Sequence, residues 1–188
     1  QLANEMLKAN PKDADGSILK GQILLAQNKP SEAIAELQNA ANNNPLSAQA
    51  HYFLGLAYAK DKKLSPAEEE WNRALNADSR FVPALTSLAQ LKLDGGDNSS
   101  AIRYAEQVLK TNPDQGEALM VLGIAQLRAG NPKAAASTIE RYMKLNPGNS
   151  QGLLVMGHIY AAQGDVAKAE AELNQALRNS PENLEPLA

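Results

Sequence analysis

Residues 48–81 read AQAHYFLGLAYAKDKKLSPAEEEWNRALNADSRF, and the fold is decided by how this stretch is parsed. Two segments of helical apolar periodicity flank a polar turn running from Asp61 to Ser65. The same marks return at a step of 34 residues on either side, which is the period of a stacked helix–turn–helix array. Gly21, Gly55, Ala89, Gly123 and Gly157 form one column. Ala33, Ala67, Ala101, Ala135 and Ala169 form a second. Pro11, Pro45, Ser79, Pro113, Pro147 and Pro181 form a third.

The columns divide the chain into five full units, 14–47, 48–81, 82–115, 116–149 and 150–183. Residues 1–13 match the second helix of a truncated leading repeat, and 184–188 begin a truncated further one. Turns fall at Asn28-Lys29-Pro30-Ser31, Asp94 to Ser99, Gly130-Asn131-Pro132 and Gly164-Asp165, where Gly and Asn tolerate the backbone that ends a helix. Ser65-Pro66-Ala67-Glu68 reads as a capping box, and Asn131 and Asp165 read as further N-caps. Prolines 45, 113 and 147 stand where each second helix stops. A mid-helix glycine weakens a helix by roughly 1 kcal/mol against alanine, so the glycine column implies a close neighbour, expected in the alanine column. Leu37, Trp71, Ile139 and Leu173 fill the rest of the second helices. Two bulky residues late in second helices, Met6 and Tyr142, stand ten positions before Gly16 and Gly152, where other units have alanine. Those pairs are expected to touch across the joint between repeats, glycine making room, because overpacking typically costs about 1–3 kcal/mol.

Composition agrees with helices and excludes several classes. Apolar residues are 44% of the 188, much of it alanine and leucine, and aromatics are 4%, which speaks against a sheet. No run of 18 apolar residues exists, so no membrane insertion by this segment is expected. The cysteine count is 0, which removes disulfides and thiolate metal sites and leaves both cytoplasm and periplasm open. The net charge is -3 and the basic residues are scattered, so nucleic acid is not an expected partner.

The pattern resembles the tetratricopeptide repeat (TPR). Its marks are clearest in Leu54-Gly55-x-x-Tyr58 with Ala67 and Trp71, and in Met156-Gly157-x-x-Tyr160 with Ala169, Leu173 and Pro181. Ser79, Ala89, Lys92 and Gln126 depart from it. The resemblance implies an all-α solenoid, a right-handed superhelix of helix–turn–helix repeats, acting as a non-catalytic scaffold for protein–protein interaction. It also implies a concave groove lined by first helices. In this chain that groove falls on Ile18, Gln22, Leu25, Tyr52, Leu56, Lys60, Thr86, Gln90, Met120, Ile124, Leu127, Arg128, Leu154 and His158. The lining is more apolar than a solvated helix face, so the expected partner is a protein or peptide presenting an amphipathic helix or an extended apolar segment. The family's carboxylate clamp does not map here, since its positions hold Ile18, Gln22, Phe53, Glu117 and Val121. The composition resembles bacterial multi-repeat proteins.

No catalytic constellation is present. His51 occupies a packing position and is expected in the core, while His158 is expected as a groove contact without a second metal ligand nearby. Asp94-Gly95-Gly96-Asp97-Asn98 lacks the spaced ligands of a calcium loop and reads as a turn. Glu68-Glu69-Glu70 reads as a solvated convex face. Neither cofactor nor metal is expected. The alternative to a binding scaffold is a structural spacer that self-associates through uncapped ends, in a larger protein whose catalytic domain, if it has one, lies outside this segment.

Overall fold

A computed structural model describes residues 2–179. Pro181 and the stretch 184–188 lie outside the described residues. Among the described residues every regular element is an α-helix and no strand forms, giving an all-α solenoid of helix–turn–helix repeats. α1 (Leu2–Ala9) comes first. Five pairs follow: α2 (Ala14–Ala26) with α3 (Pro30–Asn43), α4 (Ala48–Lys60) with α5 (Leu64–Ala77), α6 (Val82–Asp94) with α7 (Asn98–Thr111), α8 (Gly116–Arg128) with α9 (Pro132–Leu145), and α10 (Ser150–Ala162) with α11 (Val166–Asn179).

The chain forms two compact units that divide between Leu88 and Ala89, inside α6. In the first, α2 packs on α3 and α4 on α5, while α3 and α2 both reach α4. In the second, α8 packs on α9 and α10 on α11, and α10 also meets α9 and α8.

Local chemistry sets the helix ends. Asp13, Ser47, Asp97, Asn149 and Asp165 each accept a backbone N–H in the first turn of the helix they precede, satisfying donors that a helix start leaves free. The capping box does not form. α5 begins at Leu64, which puts Ser65 and Pro66 inside its first turn, where a missing N–H is harmless. Asn131 takes the N-cap position before Pro132 but makes no side-chain cap bond. Between paired helices, Asn28, Lys62, Gly96, Gly130 and Gly164 all hold positive φ, one left-handed residue per turn.

The glycine column works differently from expectation. A Cβ on Gly21 would stand 2.4 Å from Leu37 Cγ, on Gly123 2.4 Å from Ile139 Cδ1, and on Gly157 2.7 Å from Leu173 Cγ. On Gly55 it would stand 2.5 Å from Trp71 Nε1. The space is therefore taken by the large side chain of the partner helix, and the alanine column contributes only a carbonyl farther off, 3.0 Å away at Ala67 and 3.4 Å at Ala169. The one pair with Ala89 in place of glycine carries Ala105 where the others have Leu, Trp or Ile, and both alanines are buried in one cluster. The volume has moved from one column to the other.

The joints between repeats follow the size rule read from the sequence. A Cβ at Gly16 would lie 3.1 Å from Met6 Cβ, and one at Gly152 would lie 3.1 Å from Tyr142 Cδ1. Buried residues of the first unit gather around Leu37 and Leu54, and those of the second form two clusters, one around Leu119, Ile139 and Ile159 and one around Ala101 and Ala105.

Candidate functional site

First helices carry almost no amphipathic contrast in this chain, because they are packed on more than one side. That decides the fate of the expected groove residues. Ile18, Leu25, Thr86 and Met120 are buried. Gln22, Tyr52, Leu56, Gln90, Ile124, Leu127, Leu154 and His158 are half-buried, and Lys60 and Arg128 are exposed. Direct packing of α2 on α4 and of α8 on α10 accounts for the loss of the apolar members to the core.

In the first unit Tyr52 meets Phe53 and Phe81 edge-on, with ring centres 5.1 and 5.7 Å away, and its carbonyl accepts from Trp71 Nε1 at 3.2 Å. Leu56 and Phe53 rest on the core.

In the second unit the groove residues Gln90, Met120, Ile124 and Arg128 come together around a recess of about 480 Å³. Leu127, Leu154 and His158 do not line it. Its lining is mixed rather than largely apolar. Leu93, Met120, Val121 and Ile124 make an apolar part, and Gln90, Asp94, Glu117, Arg128 and Gln151 supply polar groups. Gln90 Nε2 donates to Asp94 Oδ1 at 2.7 Å, and Arg128 donates to the Leu93 carbonyl at 3.1 Å. Tyr142, from the second helix α9, also lines the recess. Sequence reasoning placed Tyr142 only at a joint. The signal that could have found it is Gly116, which stands in a column otherwise held by Ala14, Ala48, Val82 and Ser150.

The histidines separate. His158 is half-buried on α10. His51 is buried as expected, though in a polar setting: its Nδ1 lies 2.7 Å from Glu70 Oε2 and its Nε2 lies 3.0 Å from the Pro45 carbonyl. Glu70 is therefore not part of a solvated face. It is buried and also accepts from Arg73 at 2.9 Å, while Glu69 is exposed. Among the described residues no group of three or more His, Cys, Asp or Glu is placed to hold a metal. No described helix is long and apolar enough to cross a membrane.

Two family models, both described as tetratricopeptide repeat, match this chain. One covers residues 2–42, 18–81 and 86–150, and the other covers 127–188. The cytochrome c-type biogenesis protein CycH of Pseudomonas aeruginosa is 32% identical over 110 residues, 57% of this chain and 27% of that protein. The chain thus spans about a quarter of that curated relative's length. Among solved structures, YrrB, a TPR protein with an unusual peptide-binding site, superposes with a TM-score of 0.86 at 21% identity, covering 98% of this chain and 95% of its own. MamA from Desulfovibrio magneticus RS-1 does so with 0.83 at 17% identity, covering 92% and 97%.

Proposed function

Because this chain belongs to the tetratricopeptide-repeat family, we propose that it is a non-catalytic scaffold whose first helices hold a peptide or helix of a partner protein. Repeats of this family make protein-interaction scaffolds. The observation that carries the finer reading is the recess of the second unit, where four of the groove residues read from the sequence converge with further polar groups beside an apolar floor. Its volume is within the range of roughly 300–1,000 Å³ common to binding pockets. Exposed apolar surface beside convergent polar groups favours a segment that offers both backbone polarity and an apolar side chain. Four anchors worth ~1.5–3 kcal/mol each, set against an association cost of ~4–15 kcal/mol, give weak to moderate affinity unless several repeats engage together.

The test is selection of displayed peptides on the purified chain, counter-screened with the Leu56→Glu plus Ile124→Glu variant, whose folding is checked by circular dichroism. Enriched peptides that lose binding to the variant support the groove. Enrichment that ignores both substitutions moves the site elsewhere on the surface.

A further inference from the structure

Tyr142 sits in a joint that most other repeats close with small residues. Its column holds Ala40, Ala74, Val108 and Ala176, with Met6 as the one other bulky member. Alanine therefore suffices for packing at this place in the fold, as buried Ala40 and Ala74 show.

The chain makes two concessions to admit the ring. A Cβ at Gly116 would stand 3.5 Å from Tyr142 Cε2, and one at Gly152 would stand 3.1 Å from Cδ1 and Cε1. The ring thus lies between the first turns of α8 and α10, and both glycines weaken helices that alanine would strengthen. Tyr142 is only 8% exposed, yet it lines the recess. Its hydroxyl has no hydrogen-bond partner among the described residues. The oxygen itself is not one of the buried side-chain atoms left without a partner, so it opens to solvent and is free to meet a ligand. Burial pushes the phenol above its ordinary value, so at neutral pH it stays a neutral O–H able to donate.

The groups around it carry a sign. Asp94 and Glu117 line the recess against the single guanidinium of Arg128. Arg128 is turned to the Leu93 carbonyl, and Asp94 is held only by the neutral amide of Gln90. Two carboxylates facing one cation leave the rim negative.

We propose that this recess takes an extended peptide segment bearing lysine or arginine, with the Tyr142 hydroxyl donating to a main-chain carbonyl of the segment and Asp94 and Glu117 facing its cation. This rests on the groove reading above and adds to it a recognition group brought in from a second helix. Packing explains the ring's place between the glycines, and the segment's carbonyl takes the place of solvent at the open hydroxyl.

Short random peptides displayed on phage are selected on the full chain. The enriched peptide is then titrated calorimetrically against wild type, Tyr142→Phe and Glu117→Gln. Phenylalanine keeps the ring between the glycines, so the urea midpoint of Tyr142→Phe stays near wild type. The expected result is enrichment of lysine or arginine, about fivefold weaker binding by Tyr142→Phe, and weaker, less salt-sensitive binding by Glu117→Gln. Peptides that lose binding to Ile124→Glu while Tyr142→Phe binds them at full strength would overturn the assignment and leave the groove reading standing. Enrichment of acidic peptides would overturn the charge assignment. No enrichment at all would end both readings.

Discussion

The pair α4–α5 in the first unit and the pair α8–α9 in the second occupy equivalent register positions and are held together by different chemistry. In α4–α5, His51 bridges the Pro45 carbonyl and the Glu70 carboxylate, and Arg73 turns to Glu70. The carbonyl can only accept, so in this bridge Nε2 is the donor. In α8–α9 the equivalent positions are Leu119, buried, and Thr138, which donates to Gln126 Oε1 at 2.8 Å. There the equivalent carbonyl, that of Pro113, is taken by Arg141 from the back helix. One requirement, a partner for the carbonyl between repeats, is met by a front-helix histidine in one pair and a back-helix arginine in the other. Within a repeat fold the backbone sets the demand, and the side chains that satisfy it are interchangeable only as sets.

That statement is broken most directly by converting one set halfway. His51→Leu is expected to lose about 3 kcal/mol, because Glu70 is left buried with one partner fewer. Adding Glu70→Thr, which copies the Leu119 and Thr138 pair, is expected to recover most of the loss in urea denaturation. A single substitution costing under about 1 kcal/mol would mean that the polar lock contributes little.

The helix-pair contact gives the next largest effect. Gly55→Ala drives a Cβ into the rigid indole of Trp71 and to 3.0 Å from the Ala67 carbonyl, with an expected net loss of about 2 kcal/mol. Gly123→Ala meets Ile139 Cδ1, the end of a flexible side chain, with the Ala135 carbonyl 3.8 Å away, and should lose less. Equal losses measured by thermal unfolding would show that the backbone, not the large side chain, sets the limit.

At the joints the pairs differ as Ala74 from Tyr142. Gly152→Ala is expected to lose about 1 kcal/mol despite its gain in helix propensity. In a Tyr142→Ala background the same change should stabilise, since it restores the alanine pair of the Ala74 and Ala84 joint and the flexible Met143, whose Cγ is also 3.1 Å from such a Cβ, can move into the space the ring leaves. An unchanged sign between the two backgrounds would remove Tyr142 as the cause.

The smallest difference lies in the turns. Lys63 lies 2.7 Å from Asp61 in the α4–α5 turn, and that hydrogen bond holds the Asp61 carboxyl below its ordinary 3.8. A depressed folded-state value means that the contribution is complete above pH 3.8 and is lost as pH falls through the lower folded value. The α8–α9 turn has Ala129 and Asn131 at these places and lacks the pair. Asp61→Asn should therefore flatten the acid limb of the stability–pH curve slightly. An identical limb would show that the exposed pair contributes nothing.

Much of this was legible beforehand. The step of 34 residues located the pairs, because a stacked array must repeat its contacts at a fixed spacing. Met6 with Gly16 and Tyr142 with Gly152 were readable as size-matched pairs, since a close joint constrains summed volume. The capping box at Ser65 misled because α5 starts at Leu64, a boundary that local pattern does not fix. Glu70 looked solvated inside a run of three glutamates, and only its approach to His51, 19 residues away, buries it. Ile18, Leu25 and Met120 had the spacing of groove residues, but neighbouring first helices cover them.

The sequence by itself determined the period, the helix pairs and the residue types that each close contact tolerates, because these follow from short-range periodicity and from volumes that must fit. Only the tertiary structure decided which groove residues stay open to solvent, that Glu70 goes inside, and that the ring of Tyr142 reaches from a back helix to line a recess. Those outcomes depend on side chains from different helices meeting at a few ångströms, and one-dimensional spacing does not encode that distance.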